Sequence, residues 1–248
     1  MEGLSINMEI FWKLINVRLG FGSDMMFKMK FSFVLTAIFL LGVSVVSAYD
    51  LTVTELEKPY DLVPLNDNLL DKQVFLGELD DFPIMYGFTV GEDTANFKTA
   101  IRQRYESDTK PVDFSLILIR QNNNNRGVTE IARLRLRTED WTIVKDKTMG
   151  MTFWESPLLD NELQSGSYRL EISTPDNIGR FMLTFGESDN DGGYFKELGN
   201  VYMTQKFFGH SFLKLLSSTL VYYLLGIIFL LFVIQKTWKY RNSIKHAG

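Results

Sequence analysis

Residues of the types that catalyse hydrolysis are scarce in this chain of 248 residues. A Ser-His-Asp triad needs an imidazole as its general base, and the two histidines, His210 and His246, both lie near the C-terminal end. Cysteine is absent, which excludes a Cys-His dyad and cysteine-ligated zinc. Asp and Glu total 30, but no spacing singles out an acid and base pair. We therefore predict no catalytic residue.

Two acidic segments carry the oxygen ligands that Ca²⁺ prefers. They are Asp80-Asp81 and the run Asp189-Asn190-Asp191-Gly192-Gly193. The second differs from an EF-hand loop because its glycine is misplaced and Asn200 stands where a bidentate Glu is required. Solvated turns are the favoured interpretation, with a calcium loop as the alternative. We predict neither a metal ion nor a cofactor.

Three arginines alternate with apolar residues at positions 132–137. Because alternate side chains of a strand share a face, Arg133, Arg135 and Arg137 should form a row of guanidinium groups. Such a row can bind an anionic glycan or an acidic strip of a protein partner. The alternative, which the acidic composition favours, is a solvated face neutralised by nearby Asp and Glu. The three arginines are the candidate anion or partner face.

Aromatic residues offer a second candidate surface. Trp141 and Trp154, together with Phe153, could stack on a sugar ring. Aromatic side chains in strands more often belong to the core or to the sheet surface, and this is the favoured interpretation here.

Strands must position these residues, and the sequence indicates them between Val74 and Gly186, where apolar residues recur at every second position. The clearest pair is Ser167–Ser173 and Arg180–Gly186, separated by the turn residues 175–179, which predicts a hairpin. Eight or nine short strands in this region predict a mainly β fold: a single antiparallel β-sandwich or jelly-roll ectodomain, followed by one transmembrane α-helix.

The closing hairpin also carries a family resemblance. Residues 165–186 resemble the closing hairpin of bacterial pre-peptidase C-terminal-type β-sandwich domains. The residues concerned are Ser-Gly-Ser-Tyr-Arg-Leu-Glu-Ile at 165–172 and Gly179-Arg180-Phe181-Met182-Leu183. The resemblance rests on a Gly-x-Tyr strand followed by a Gly-aromatic strand. It implies an accessory, non-catalytic β-domain.

Two uncharged apolar runs predict the topology. Phe31–Ala48 follows Lys28 and Lys30 and ends in small residues that a signal peptidase reads, so we predict a cleaved signal peptide, with an uncleaved anchor as the alternative. Leu215–Ile234 is long enough to span a bilayer and contains no charged residue. The tail after it carries four basic residues and no acidic one, which places the C-terminus in the cytoplasm.

These observations divide the chain into five segments: 1–48, an upstream extension plus signal peptide; 49–193, an extracytoplasmic β-sandwich; 194–214, a membrane-proximal connector; 215–234, a transmembrane helix; and 235–248, a basic cytoplasmic tail. Residues 49–210 hold 27 acidic and 17 basic side chains, a net charge of −10. That charge argues against nucleic acid as a partner and against binding to anionic lipid.

We therefore expect a single-pass protein of the cell membrane with its N-terminal domain outside. Its predicted role is non-catalytic, as a binding or accessory β-domain with a protein or glycan partner at the cell surface. Two alternatives remain open from the sequence. One is a membrane-tethered, carboxylate-dependent hydrolase of envelope polysaccharide, and the other is a subunit of a larger membrane complex.

Overall fold

A computed structural model describes residues 49–245 apart from 57, 67, 92–93, 123–126 and 189–192, with the backbone alone described for 237–245. The predicted signal peptide, most of the acidic loop at 189–193 and the C-terminal end with His246 lie outside the described residues. Twelve strands, two α-helices and two 3-10 helices make up the described part of the chain.

Seven of these strands form the first sheet: β1 (Asp50–Thr54), β3 (Gln73–Asp80), β5 (Ala95–Arg104), β8 (Thr142–Asp146), β9 (Met151–Glu155), β10 (Leu159–Leu163) and β12 (Ile178–Phe185). Their order is β1-β3-β12-β5-β9-β8, and β10 pairs with the first half of β5. The second sheet has the order β2-β4-β11-β6-β7. Its strands are β2 (Leu62–Pro64), β4 (Ile84–Val90), β6 (Ser115–Gln121), β7 (Val128–Arg135) and β11 (Gly166–Ser173).

The prediction of a mainly β sandwich is confirmed, although both sheets are mixed. Strand β1 pairs in parallel with β3, and β2 pairs in parallel with β4, while the remaining pairs are antiparallel. Strands β1, β2 and β10 lie outside the strands that apolar alternation identified. They are short strands of three to five residues, and so short a segment carries little periodic signal.

Aromatic side chains fill the core between the two sheets. The ring of Phe75 lies edge-on to those of Tyr86 and Phe185, at centroid distances of 5.1 and 5.8 Å. Phe88 stacks between Phe97 and Tyr168 at 5.0 and 5.6 Å. Such pairs stabilise a core beyond the area that they bury. Burial also raises the pKa of the Tyr86 phenol, although the hydroxyl of Thr54 lies 3.1 Å away from its oxygen.

The predicted closing hairpin is wrong in its pairing and correct in its faces. Strand β11 pairs with β4 and β6 of the second sheet, whereas β12 pairs with β3 and β5 of the first sheet. The turn between them therefore crosses from one sheet to the other. Tyr168 and Leu170 still face Phe181 and Phe185, because both strands bury their apolar face in the same core. Alternation specifies the buried face of a strand and leaves its partner undetermined.

A helical layer covers the outer face of the first sheet. Helix α1 (Gly193–Phe207) packs there through Val201, and Phe208 just beyond its end contacts the ring of Phe153 at 5.8 Å. A 3-10 helix, Phe212–Ser217, and helix α2, Thr219–Lys245, follow. Within α2, Thr219–Lys236 is the one described segment long and apolar enough to cross a membrane. The helix begins at Thr219, four residues after the predicted start of the span, because Leu215 packs against the outer face of the first sheet.

Candidate functional site

The predicted arginine row lies on the outer face of the second sheet. Arg133 and Arg135 are on the edge strand β7, opposite Ile117 and Ser115 of β6, and both are exposed. The apolar residues that alternate with them point the other way and contact the core. Arg137 follows the end of the strand, where its backbone N–H donates to the Asp140 carboxylate at 2.8 Å. This sheet face is on the opposite side of the sandwich from helix α1.

Acidic side chains neutralise part of that row. Arg133 donates two hydrogen bonds to the Glu130 carboxylate, at 2.9 Å from Nε and 2.6 Å from Nη2. These bonds hold the pKa of Glu130 below its usual value, with smaller contributions from the charges of Arg133 and Arg135. Arg137 lies 4.0 Å from a carboxylate oxygen of Glu139. The guanidinium of Arg135 is the member of the row without an ion pair among the described residues.

The contact between Arg133 and Glu130 depends on a β-bulge. Residues three positions apart point to opposite faces of a regular strand. In β7, Ala132 pairs with Leu118 and Glu130 pairs with Ile119, so Ile131 is an extra residue. The bulge brings Glu130 to the same side as Arg133. Sequence reasoning favoured a face neutralised by nearby acidic residues, but it could not identify Glu130 as the partner, because apolar alternation does not reveal a bulge.

A second site, which sequence reasoning did not predict, joins the sandwich to the apolar helix. The turn between β8 and β9 accepts three hydrogen bonds from residues 217–219, at and just before the start of α2: Ser217 Oγ to Gly150 O at 3.0 Å, Ser218 Oγ to Thr148 O at 2.5 Å, and Thr219 N to Lys147 O at 3.0 Å. The residues Ser217-Ser218-Thr219 were the available signal. The hydroxyl groups of Ser217 and Ser218 and the backbone N–H of Thr219 bind this turn.

Helix α1 strengthens the same junction with buried polar side chains. Gln205 donates from Nε2 to the carbonyl groups of Met149 and Lys214, at 2.6 and 3.3 Å. The Tyr194 hydroxyl donates to the Leu220 carbonyl at 2.9 Å. A buried amide or hydroxyl without a partner would be destabilising, so these bonds favour a single arrangement of the layers. The junction therefore connects four elements: the β8–β9 turn, α1, the 3-10 helix and α2.

Two carboxylates of the first sheet share an ion pair with one arginine. Arg102 of β5 forms ion pairs with Asp146 of β8, at 3.4 Å, and with Glu155 of β9. The Arg102 guanidinium also lies over the ring of Phe153, 5.9 Å from its centroid. Asp146 further accepts the Met149 N–H at 2.9 Å, which shapes the β8–β9 turn. These contacts give the two carboxylates a structural role.

The remaining sequence candidates do not assemble into a site. Trp141 packs edge-on against Phe114 in the core and Phe153 is fully buried, so neither can stack on a sugar. Burial, together with the charges of Arg104 and Lys214, lowers the pKa of His210. Among the described residues, no group of three His, Cys, Asp or Glu side chains could hold a metal ion.

The chain matches no protein-family model and no curated protein sequence. Its fold is similar to that of the pre-peptidase C-terminal domain of a Bacillus anthracis collagenase, with 15% identity, a TM-score of 0.31, and coverage of 54% of this chain and 97% of that domain. The predicted weak resemblance to such domains is thereby confirmed.

Two further solved structures show a comparable likeness. The Yersinia pseudotuberculosis-derived mitogen has 17% identity and a TM-score of 0.30, with coverage of 48% of this chain and 88% of the mitogen. The CBM35 of Cellvibrio japonicus Abf62 has 15% identity and a TM-score of 0.23, with coverage of 42% and 66% respectively. Such low identities and TM-scores do not assign an activity to this chain.

Proposed function

We propose that this protein is a single-pass membrane protein whose extracytoplasmic β-sandwich has a non-catalytic binding or accessory role at the cell surface. The observation that carries the proposal is the junction at the β8–β9 turn. Three hydrogen bonds from residues 217–219 attach the sandwich directly to the apolar helix, with no intervening flexible linker. A domain attached in this way holds a constant orientation to its anchor. That property suits a domain that presents a surface to a partner.

The orientation and location follow from the charges around the apolar helix. The tail after it carries four basic residues and no acidic residue, so we propose a cytoplasmic C-terminus. The sandwich then lies outside, where the predicted signal peptide would have directed it. The proposed location is the cell membrane.

Cysteine labelling tests this topology, because the chain has no cysteine of its own. Glu162→Cys, at an exposed position of β10, should react in intact cells with a membrane-impermeant maleimide. Ser243→Cys should react only after the membrane is permeabilised, since it lies in the basic tail. Reaction of both variants in intact cells, or of neither after permeabilisation, would contradict the topology.

The proposed partner surface is the outer face of the second sheet with Arg133, Arg135 and Arg137. Helix α1 covers the outer face of the first sheet, which leaves the arginine row as the exposed broad face of the sandwich. Guanidinium groups in a row suit an acidic protein strip or an anionic glycan. Arg135 is the central contact in this proposal because its neighbours in the row already contact carboxylates.

Affinity capture from membranes in mild detergent tests the arginine face. Replacement of all three arginines by serine should remove the co-purifying component. The matched control replaces three exposed lysines, Lys58, Lys110 and Lys145, by serine, and it changes the net charge equally. The control should retain the component. Equal loss in both variants would show a general charge effect and would contradict the proposed surface.

A subunit of a larger membrane complex is the second candidate. An open groove of about 450 Å³ on α2 favours it, lined by Thr219, Tyr222, Tyr223, Gly226, Ile227 and Leu230. A glycine beside polar aromatic residues permits close approach of another helix. The same capture experiment separates the two candidates. A component that survives replacement of the arginines but is lost in Gly226→Leu would favour the membrane complex.

A further inference from the structure

Helix α1 buries four polar residues against the sandwich, alongside Val201, and exposes three large apolar residues, together with two lysines, on its outer face. The buried polar residues are Glu197, Asn200, Thr204 and Gln205. On the opposite face, Phe195, Tyr202 and Met203 lie on one side of the helix, because Tyr202 is two turns after Phe195 and Met203 is next to Tyr202. The Phe195 side chain is 73% exposed. A helix at a water-exposed surface has the reverse arrangement. The exposed face of α1 therefore indicates a neighbour other than water.

The apolar surface continues along the chain to the membrane helix. In the 3-10 helix, Phe212 is 66% exposed and Leu213 is 71% exposed. The rings of Tyr202 and Phe212 are 6.0 Å apart, so the exposed faces of α1 and the 3-10 helix adjoin. Helix α2 begins two residues after the 3-10 helix ends. We define the membrane-facing patch as Phe195, Tyr202, Met203, Phe212, Leu213 and Leu216.

Hydrogen bonds hold α1 beside the point at which the chain enters the apolar helix. Near the start of α1, Tyr194 donates to the Leu220 carbonyl, and near its end, Gln205 donates to the Lys214 carbonyl. Lys214 precedes Thr219 by five residues, which span at most about 17 Å even when fully extended. Both ends of α1 are therefore close to the start of α2. The patch cannot move far from the bilayer surface while these bonds persist.

The charge of this region also differs from that of the rest of the ectodomain. Residues 193–218 contain three lysines, Lys196, Lys206 and Lys214, and a single acidic residue, Glu197, which α1 buries against the sandwich. Lys196 forms an ion pair with Asp50, so the proposal relies on Lys206 and Lys214. Residues 49–210 as a whole carry a net charge of −10. Lysines beside an apolar face suit the phosphate groups of lipids, since their stems can lie along the apolar surface while the ammonium reaches the headgroup.

We propose that the membrane-facing patch lies in the interfacial region of the outer leaflet, at the level of the lipid phosphates and upper acyl chains. The inference rests on the membrane anchoring proposed above. Apolar contact carries the binding, so zwitterionic phospholipid is sufficient. The sandwich then lies against the bilayer through α1, and the arginine face points away from the membrane, on the far side of both sheets.

Depth-dependent fluorescence quenching tests the proposal in the full-length protein. Single cysteines at Phe195 and Met203 would carry an environment-sensitive label, in nanodiscs of phosphatidylcholine with or without nitroxide on the upper acyl chain. Leu225→Cys in α2 reports the anchor itself, and Arg135→Cys on the second sheet is the control for the far side. Because an interfacial helix lies about 5–10 Å into the headgroup and acyl boundary, we expect the nitroxide lipid to reduce the fluorescence at positions 195 and 203 at least about twofold.

The outcomes separate this inference from the anchoring. Quenching by the lipid at positions 195, 203 and 225 but not at 135 supports the proposal. If the nitroxide lipid quenches the label at 225 while aqueous iodide quenches the labels at 195 and 203 as strongly as that at 135, the patch lies in water. That result contradicts the proposal and leaves the anchoring intact. Protection of 195 and 203 from both quenchers contradicts it too, because protein would then cover the patch. No quenching at 225 contradicts the anchoring as well. Circular dichroism of each variant must match that of the parent.

Discussion

Replacement of Phe181 by alanine should lower the free energy of unfolding by about 3–5 kcal/mol, a large fraction of the stability of a typical domain. The Phe181 side chain is fully buried at the centre of the sandwich. It lies edge-on to Phe114, with ring centroids 5.7 Å apart, and pairs across the sheet with Gly77. A Cβ atom on Gly77 would lie 2.9 Å from Phe181 Cε1, so the ring occupies the space above this glycine. Its loss would leave a cavity that the packed neighbours cannot fill.

Arg180→Ala is the matched control, one position away on β12. Its side chain is half exposed, pairs with Glu78 at 2.9 Å and donates to the Phe207 carbonyl at 3.2 Å on the outer side of the sheet. An exposed ion pair and one further hydrogen bond together contribute about 1–2 kcal/mol, less than the loss expected for Phe181→Ala. Denaturant titration of both full-length variants in mild detergent, followed by far-ultraviolet circular dichroism, measures the contrast. Equal losses, or a larger loss for Arg180→Ala, would contradict the strand register.

Gly150→Ala should disrupt the junction between the sandwich and the apolar helix. Gly150 has a φ of 63°, which disfavours any residue with a Cβ, and an added Cβ would lie 2.5 Å from the Ser217 carbonyl carbon. Left-handed strain of about 1–2 kcal/mol and overpacking of about 1–3 kcal/mol would act at one position. The turn would separate from residues 217–219, and the hydrogen bond from Thr219 N to Lys147 O would be lost.

Amide hydrogen exchange at Thr219 measures that separation. We expect exchange to accelerate by more than about tenfold, because about 1.4 kcal/mol corresponds to a factor of ten. Gly127→Ala is the control: Gly127 also has a positive φ, of 96°, but a Cβ there meets no described atom within 4 Å. It should leave exchange at Thr219 unchanged. Unchanged exchange in Gly150→Ala would show that the turn does not hold the start of the helix.

The candidate site could be predicted only in part from the sequence. Alternation correctly put Arg133 and Arg135 on a solvent-exposed strand face, because the apolar residues between them must be buried. The ion pair with Glu130 requires the bulge at Ile131, which depends on how β6 and β7 pair. The junction at the β8–β9 turn could not be predicted from the sequence either, because its hydrogen-bonded residues are about 70 positions apart. Long-range contacts of this kind leave no local periodic signal.

The segment before the apolar helix could likewise be predicted only in part. The sequence predicted a membrane-proximal connector at residues 194–214. In the structure Phe208 is buried against Phe153, whereas Phe195 and Phe212 are exposed. Periodicity alone could not decide which aromatic residue faces the sandwich. The outer face of the first sheet decides it, because Val74 and Met182 leave an apolar surface there that α1 must cover.

The sequence by itself determined the fold class, the buried face of the long strands and the presence of one apolar helix of spanning length. Each of these follows from local periodicity or from composition, which any segment carries independently of its neighbours. Only the tertiary structure decided that β11 and β12 belong to different sheets, that β1 and β2 pair in parallel, and that α1 joins the sandwich to the helix. Partner choice depends on complementary surfaces that form only when distant segments pack together.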